Sequence, residues 1–347
     1  TPIKSSAASD VYKRQEQDMI LARSVYDNTG RVLLSCGTVL TDEYIDKLYE
    51  RGLPGIYIED KLAEDIEIEE AISEELRNEG AEALRNGDVD AAMSVGRRIV
   101  DEIIQNPRVT LDLIDLRSYD DYTYRHSVNV AVISTVIGIN MQLNRLALDE
   151  LSIAAILHDI GKRRIDPKII NKKGKLTPEE YTEVKRHSEY GYEMVKSRID
   201  LSAKIKNAIL LHHENEDGSG YPKGLKGNQI FIYAKIIHVA DVFDALTAKR
   251  PYKKAYAQSE AAEYLMGSCD RMFDREVVKA FLQCVSLYPK GTQVQLSNGK
   301  EALVVEATKS PLRPKVRIIE DGTDMDLSSL YEHRNITIVP PHDGDIS

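Results

Sequence analysis

The longest apolar run in the chain, VNVAVISTVIGI at residues 128–139, marks the centre of the fold. Asn129, Ser134 and Thr135 interrupt the run, and it is too short to span a bilayer. We therefore expect a helix that is buried inside a soluble protein. The surrounding segment, 119–287, is strongly helical in pattern and carries most of the histidines. The predicted fold class is mainly α, with a helical bundle at its core.

Composition narrows the classes of function. The net charge of −10 over 347 residues disfavours binding to nucleic acid polymers, but it leaves room for a small anionic ligand beside a local basic cluster. Cys36, Cys269 and Cys284 are widely spaced and contain no C-x-x-C pair, which fits a reducing cytoplasm. No secretory signal is recognised, and no membrane segment is expected.

The regions flanking the helical segment differ from it in pattern. Residues 1–15 show no hydrophobic period, and we expect a disordered, non-native extension there. Residues 16–60 predict a small β-rich module with one helix, opened by a hairpin around Asp27-Asn28-Thr29-Gly30. Residues 61–118 predict an acidic helical linker, with dimerisation as a second interpretation, and 288–347 predict a small β-barrel-like unit around Asn298-Gly299.

One helix within 119–287 has a clear beginning. Thr177-Pro178-Glu179-Glu180 combines a capping threonine, a proline at the first helical position and a glutamate three residues after the cap. This helix is expected to run to His187.

Histidines and aspartates recur through 119–287 at intervals of 25 to 32 residues, about the length of a helix plus a loop. Successive antiparallel helices could return one ligand each to a common point in the bundle. The set is too large for one tetrahedral zinc ion and suits two octahedral ions. Its members are His126, His158, Asp159, His187, His212, His213 and Asp241.

Each member has a structural interpretation when taken alone. His126 could be a hydrogen-bonded core histidine, and His187 could lie on the surface. The regular spacing favours the metal-site interpretation for the set as a whole. His238 lies three residues before Asp241, and we assign it to the core or to support of a ligand rather than to the metal.

An acidic, glycine-rich loop follows the histidine pair in LLHHENEDGSGYP, residues 210–222. Together with HDIGK (158–162) and VADVFDALTAKRPYK (239–253), this segment resembles the HD-GYP branch of the HD phosphohydrolase superfamily. The stretches YTYRHSVNVA (122–131) and KRHSEYGYEM (185–194) fit the flanking motifs of that family. The resemblance covers about 119–287, roughly half of the chain, and the ordered set of motifs is specific.

The resemblance implies a phosphodiesterase that hydrolyses the bacterial second messenger cyclic di-GMP to linear pGpG or GMP by attack of a metal-bound hydroxide. The seven histidines and aspartates would be metal ligands, with Asp159 bridging. Lys162 would contact the scissile phosphate. Gly220 and Tyr221 would shape the substrate pocket, and Arg250 and Lys253 would hold the phosphates of the ligand.

One departure concerns the number of metals. Some members of the family carry a glutamate one turn before the first histidine and bind a third metal, but this position is Tyr122 here. We therefore expect two divalent ions, with iron or manganese best suited to the ligand set.

Two other functions stay open at this point. The chain could be an HD hydrolase acting on another cyclic dinucleotide, or a catalytically silent cyclic di-GMP receptor that signals through its flanking domains to other proteins. Retention of every expected ligand and of Lys162 favours the enzyme. The oligomeric state stays open, with a homodimer through 61–118 as one option.

Overall fold

A computed structural model describes residues 2–4, 19–26, 32–50, 56–59, 61–63, 65–66, 71–105, 122–172, 174–248, 256–308, 310–329 and 331–339. The described α-helices are α1 (Asp42–Glu50), α2 (Glu74–Asn86), α3 (Val89–Gln105), α4 (Tyr122–Asn140), α5 (Arg145–Leu157), α6 (Pro167–Ile170), α7 (Pro178–Lys185), α8 (His187–Val195), α9 (Ala203–Leu211), α10 (Ile232–Thr247), α11 (Gln258–Gly267) and α12 (Arg275–Cys284). The described strands are β1 (Pro2–Lys4), β2 (Val25–Tyr26), β3 (Val32–Leu34), β4 (Tyr57–Glu59), β5 (Gln293–Leu296), β6 (Glu301–Glu306), β7 (Lys315–Ile318), β8 (Asp324–Asp326) and β9 (Ile338–Val339). The mainly α fold class is confirmed.

Helices α2 to α12 form one compact unit that comprises residues 71–111 and 121–284. Its central helix is α4, which contains the run at 128–139, and Ile133 and Ile137 within it are fully buried. Helices α5 and α10 pack against α4, and the middle turns of α4 have no face exposed to solvent. The buried helix predicted from the apolar run is confirmed. Among the described residues, no helix is long and apolar enough to cross a membrane.

Helices α2 and α3 pack on α4 and α5, so residues 71–105 belong to the bundle. The single acidic helix expected from residue 61 is not formed. Lys61–Ala63 is one 3-10 turn, and the helix begins only at Glu74, because the Ser73 side chain caps it by accepting a hydrogen bond from the Leu76 amide. The boundary predicted at 118/119 therefore differs from the grouping in the structure.

The second compact unit comprises residues 1–70, 112–120 and 285–347. In its N-terminal part β2 pairs with β3, and Leu21, Leu40 and Ile45 form a small core with their neighbours. The expected hairpin turn at 27–30 lies outside the described residues. Within the extension predicted at 1–15, residues 2–4 are ordered as β1, which pairs antiparallel with β4. The rest of that extension lies outside the described residues.

The C-terminal strands form a five-stranded antiparallel sheet in the order β8-β7-β6-β5-β9. Gly299 has a positive φ of 82° in the turn between β5 and β6, as the Asn298-Gly299 pair predicts. The inward side chains of Leu296, Val304 and Val316 build its core. Strands β8 and β9 lie at the two edges, so the described part is an open sheet rather than a closed barrel.

Candidate metal-centred active site

Three histidines at helix ends share one local geometry. The Nδ1 atoms of His158, His187 and His212 lie 2.7, 2.7 and 2.8 Å from the carbonyl oxygens of the residues three positions earlier. Those carbonyls belong to the last turns of α5, α7 and α9. The carbonyls of Ala155 and Val184 also accept a hydrogen bond from the backbone amides of His158 and Arg186, so the imidazole is a second donor there. The hydrogen bond places the proton on Nδ1, so each Nε2 keeps its lone pair for another ligand.

These Nε2 atoms converge. His187 Nε2 lies 3.2 Å from Nε2 of both His212 and His213, and 3.3 Å from Asp159 Oδ1. Helix α7, which Thr177 caps, ends at Lys185, two residues earlier than expected. Arg186 follows it, and His187 begins α8. The predicted capping box of Thr177 and Glu180 is present.

His126 occupies the other side of the cluster. Its Nε2 lies 2.9 Å from Asp241 Oδ1 and its Nδ1 lies 2.6 Å from Asp244 Oδ2. Burial disfavours the imidazolium, but the hydrogen bonds to the two carboxylates have the larger combined effect and raise the pKa of His126 to about 9. In the metal-free protein, the proton on His126 therefore offsets the negative charge of Asp241 and Asp244.

Asp159 is buried at the centre of the set, with Lys162 donating a hydrogen bond to its Oδ2. Burial alone would favour the neutral acid, but the ammonium of Lys162 and the imidazole of His158 hold the pKa of Asp159 well below its usual range. Burial lowers the pKa of both His212 and His213 well below the usual value. Asp159 is thus ionised and His212 and His213 are neutral, as metal binding requires, whereas His126 has to release its proton to a metal.

The donor set fits a divalent metal. His158 is fully buried, yet its Nε2 has no hydrogen-bond partner among the described residues. A buried nitrogen left unpaired is costly unless a ligand satisfies it. Two triads within the described residues, His187 with His212 and His213, and His126 with His158 and Asp159, each bring their ligand atoms within 4.8 Å of one another.

Gly161 brings two ligand-bearing segments together. It lies in the 3-10 turn Ile160–Arg164, which packs against the start of α8. A Cβ at this position would lie 1.9 Å from the carbonyl oxygen of His187 and 2.4 Å from the amide nitrogen of Gly191. Only glycine lets the two backbones approach this closely, and the approach sets Asp159 against His187.

The loop that follows His212 and His213 is held by hydrogen bonds to a buried carboxylate of its own. The buried carboxylate of Glu214 accepts hydrogen bonds from the amides of Lys223 and Leu225, at 2.7 and 2.9 Å. A Cβ at Gly220 would lie 2.3 Å from the amide nitrogen of Asn215, so this position also requires a close backbone approach. The loop is therefore folded onto its own first residues.

Tyr221 and His238 lie beside His213. The ring of Tyr221 stacks on His213 with centroids 4.7 Å apart and planes tilted by 30°. Burial raises the pKa of Tyr221, which keeps its hydroxyl protonated. His238 Nε2 lies 3.1 Å from Asn215 Oδ1, which agrees with a supporting position rather than a place among the converging atoms.

The structure thus brings together all seven predicted ligands and Lys162, with Tyr221 and Gly220 beside them. Arg250 and Lys253 lie outside the described residues, and nothing is described of the Tyr122 side chain. Sequence reasoning missed Asp244 and Glu214. Asp244 had a signal, since it follows Asp241 by three residues on one helix face. Glu214 had none, since its partners are backbone amides of a loop.

The chain matches a family model described as HD domain over residues 109–277. These residues therefore form an HD domain. The domain is of the HD-GYP type, as the resemblance of its motifs predicted. The fold is shared with the HDG"Y"P protein Bd1817 from Bdellovibrio bacteriovorus, at a TM-score of 0.52 and 18% identity, covering 81% of this chain and 98% of that one.

Curated relatives are more similar in sequence. A cyclic di-GMP phosphodiesterase of Pseudomonas aeruginosa, PA4108, is 38% identical over 63% of this chain and 54% of its own length. A 3'3'-cGAMP-specific phosphodiesterase of Vibrio cholerae, number 2, is 40% identical over 39% of this chain and 26% of its own length. The chain spans about half the length of the first curated relatives it matches.

Proposed function

We propose that this protein is a metal-dependent phosphodiesterase that hydrolyses cyclic di-GMP to pGpG or GMP. The observation that carries the proposal is the clustering of five imidazoles and Asp159 in two triads, with Asp241 beside His126. The activity named for the Pseudomonas aeruginosa relative supports the substrate.

Two divalent ions, iron or manganese, are proposed for the site. His187, His212 and His213 would hold one ion, and His126, His158 and Asp241 would hold the other, with Asp159 between them. Bound there, the ions would supply water activation and neutralise the oxygens of the phosphodiester. Asp159, His212 and His213 are already in the protonation states that this ligand set needs, and His126 would release its proton on binding the second ion.

The remaining residues would bind and orient the substrate. Lys162 is about one-third exposed at the edge of the cluster, so its ammonium can reach a phosphate while it stays paired with Asp159. Charge on a phosphoryl oxygen would be offset there. The protonated hydroxyl of Tyr221 is available to donate a hydrogen bond to the ligand. Arg250 and Lys253 are proposed to hold its phosphates.

The proposal extends to the assembly of the protein and to its cellular compartment. The cysteines are free in the structure, which fits the reducing cytoplasm inferred from their spacing. Helices α2 and α3 bury one face in the bundle, and the exposed faces are where we place a homodimer contact. Signalling proteins are proposed partners of the flanking unit.

The test starts from protein purified without oxygen and assayed for metal content. Wild type, Asp159→Ala and Asp101→Ala are incubated with cyclic di-GMP. Asp101 is a half-exposed carboxylate paired with Arg145, so its variant matches the charge change away from the site. We expect about two metals per chain and turnover in wild type and Asp101→Ala, and loss of both in Asp159→Ala.

Other results would redirect the proposal. Tight binding of cyclic di-GMP to metal-loaded wild type without hydrolysis would identify a receptor. Turnover of 3'3'-cGAMP with cyclic di-GMP left intact would identify a hydrolase of another cyclic dinucleotide, the activity named for the Vibrio cholerae relative.

A further inference from the structure

Lys185, the last residue of α7, lies beside two aromatic rings. Its Nζ is 5.2 Å from the centroid of Tyr181 and 5.8 Å from the centroid of Tyr221. Within the part of the chain that the structure describes, no carboxylate forms an ion pair with this ammonium. Aromatic faces attract the charge but leave its hydrogen-bond donors unused, so they remain free for a ligand.

The position of this lysine follows from Tyr221. That ring stacks on His213, and the Tyr221 amide donates a hydrogen bond to the His213 carbonyl at 3.1 Å. Lys185 is therefore one aromatic ring away from the metal ligands. The Tyr181 side chain is 54% exposed, so it offers an open face at the same edge of the site.

The geometry points to a base-recognition subsite in which Tyr181 stacks on a purine and Lys185 selects guanine. Guanine presents two acceptors on one edge, O6 and N7, whereas adenine presents N7 beside an amino donor. An ammonium has donors only, so it can bind both acceptors of the guanine edge, whereas on adenine it meets one acceptor beside an amino group with which it cannot pair. Stacking on a tyrosine is tolerant of the base, because every base has a π face. The inference deepens the proposed function, on which it rests.

Arg186, the residue after Lys185, provides a comparison with a surface cation at the same helix end. Arg186 also lies over a ring, 4.7 Å from the centroid of Tyr190, but it forms an ion pair with Glu183 at 3.0 Å. Its donors are engaged by protein, and Tyr190 makes no ring contact with the histidine cluster among the described residues. Arg186→Met is thus a matched control for Lys185→Met.

The experiment measures dissociation constants by calorimetry on the metal-loaded full chain. The probes are phosphorothioate analogues of cyclic di-GMP and cyclic di-AMP, which resist hydrolysis. We expect wild type to prefer the guanine analogue and Lys185→Met to lose about ten-fold of that preference. Tyr181→Ala should weaken both analogues by similar factors, and Tyr181→Phe should restore them. Arg186→Met should match wild type.

Three outcomes would overturn the inference. The first is a guanine preference that survives in Lys185→Met, the second is an equal loss in Arg186→Met, and the third is no preference in wild type. Failure of the proposed function is a separate result, because it would appear as wild-type protein that binds neither analogue and does not turn over cyclic di-GMP.

Discussion

Replacing Gly161 by alanine tests whether close backbone packing aligns the metal ligands. The added Cβ would lie 1.9 Å from the His187 carbonyl oxygen, whereas real Cβ contacts are essentially never shorter than 3.0 Å. Both obstacles, this oxygen and the Gly191 amide nitrogen, are backbone atoms, so no side-chain rotation relieves the clash. The 3-10 turn and α8 must separate by about 1 Å, and His187 moves away from Asp159.

The expected loss has two parts. Overpacking of this kind costs about 1 to 3 kcal/mol, and a backbone obstacle favours the upper end. Since 1 kcal/mol shifts the melting temperature of a unit of this size by about 2 to 4 °C, we expect a decrease of several degrees. A misplacement of about 1 Å in a catalytic constellation can lower turnover by about 100-fold.

The assay compares melting temperature, metal content per chain and turnover of cyclic di-GMP in three variants. Gly191→Ala is the mild case, because its nearest contact is the movable side chain of Ile209 at 3.0 Å. Gly267→Ala is the control, because its Cβ would meet nothing within 4 Å. Wild-type metal content and turnover in Gly161→Ala would refute the reasoning, as would equal losses in all three variants.

Three further outcomes are expected from groups that sequence reasoning missed or set aside. Glu214→Gln keeps the shape of the side chain but removes the charge that holds two loop amides, so kcat/KM should fall about ten-fold with metal content retained; a fall in metal content instead would mean that this carboxylate supports the ligands. Asp244→Asn removes a negative charge that raises the pKa of His126, so an NMR titration of the metal-free protein should place that pKa below about 9, and metal affinity should fall by about 10- to 100-fold. An unchanged titration would contradict the assignment. His238 has its pKa lowered by burial to about 4, so unfolding takes up a proton below the unfolded value of 6.5. Its contribution of up to about 3 kcal/mol is complete above pH 6.5 and is lost as the pH falls toward 4, and urea titrations of the metal-free protein should show this slope reduced in His238→Gln.

The sequence predicted the bundle and the positions of the ligands because both depend on local spacing. An apolar run of helical length specifies a buried helix, and ligands one helix and one loop apart can meet at one end of a bundle. Contacts between segments that are far apart in the sequence could not be predicted from spacing. The single acidic helix expected from residue 61 failed because Ser73 caps a later start, and the closeness of Gly161 to α8 depends on a packing that no spacing reveals.

The imidazoles that bond to helix ends in this protein are among those we propose as metal ligands. His158, His187 and His212 each donate a hydrogen bond through Nδ1 to a carbonyl in the last turn of a helix. That bond fixes the tautomer and the orientation of the ring before any metal arrives, so metal uptake has little side-chain entropy left to remove. Replacement by glutamine should therefore weaken a helix end as well as the metal site. Loss of stability should persist even in metal-free protein, which separates this arrangement from ligands that are ordered only by the ion.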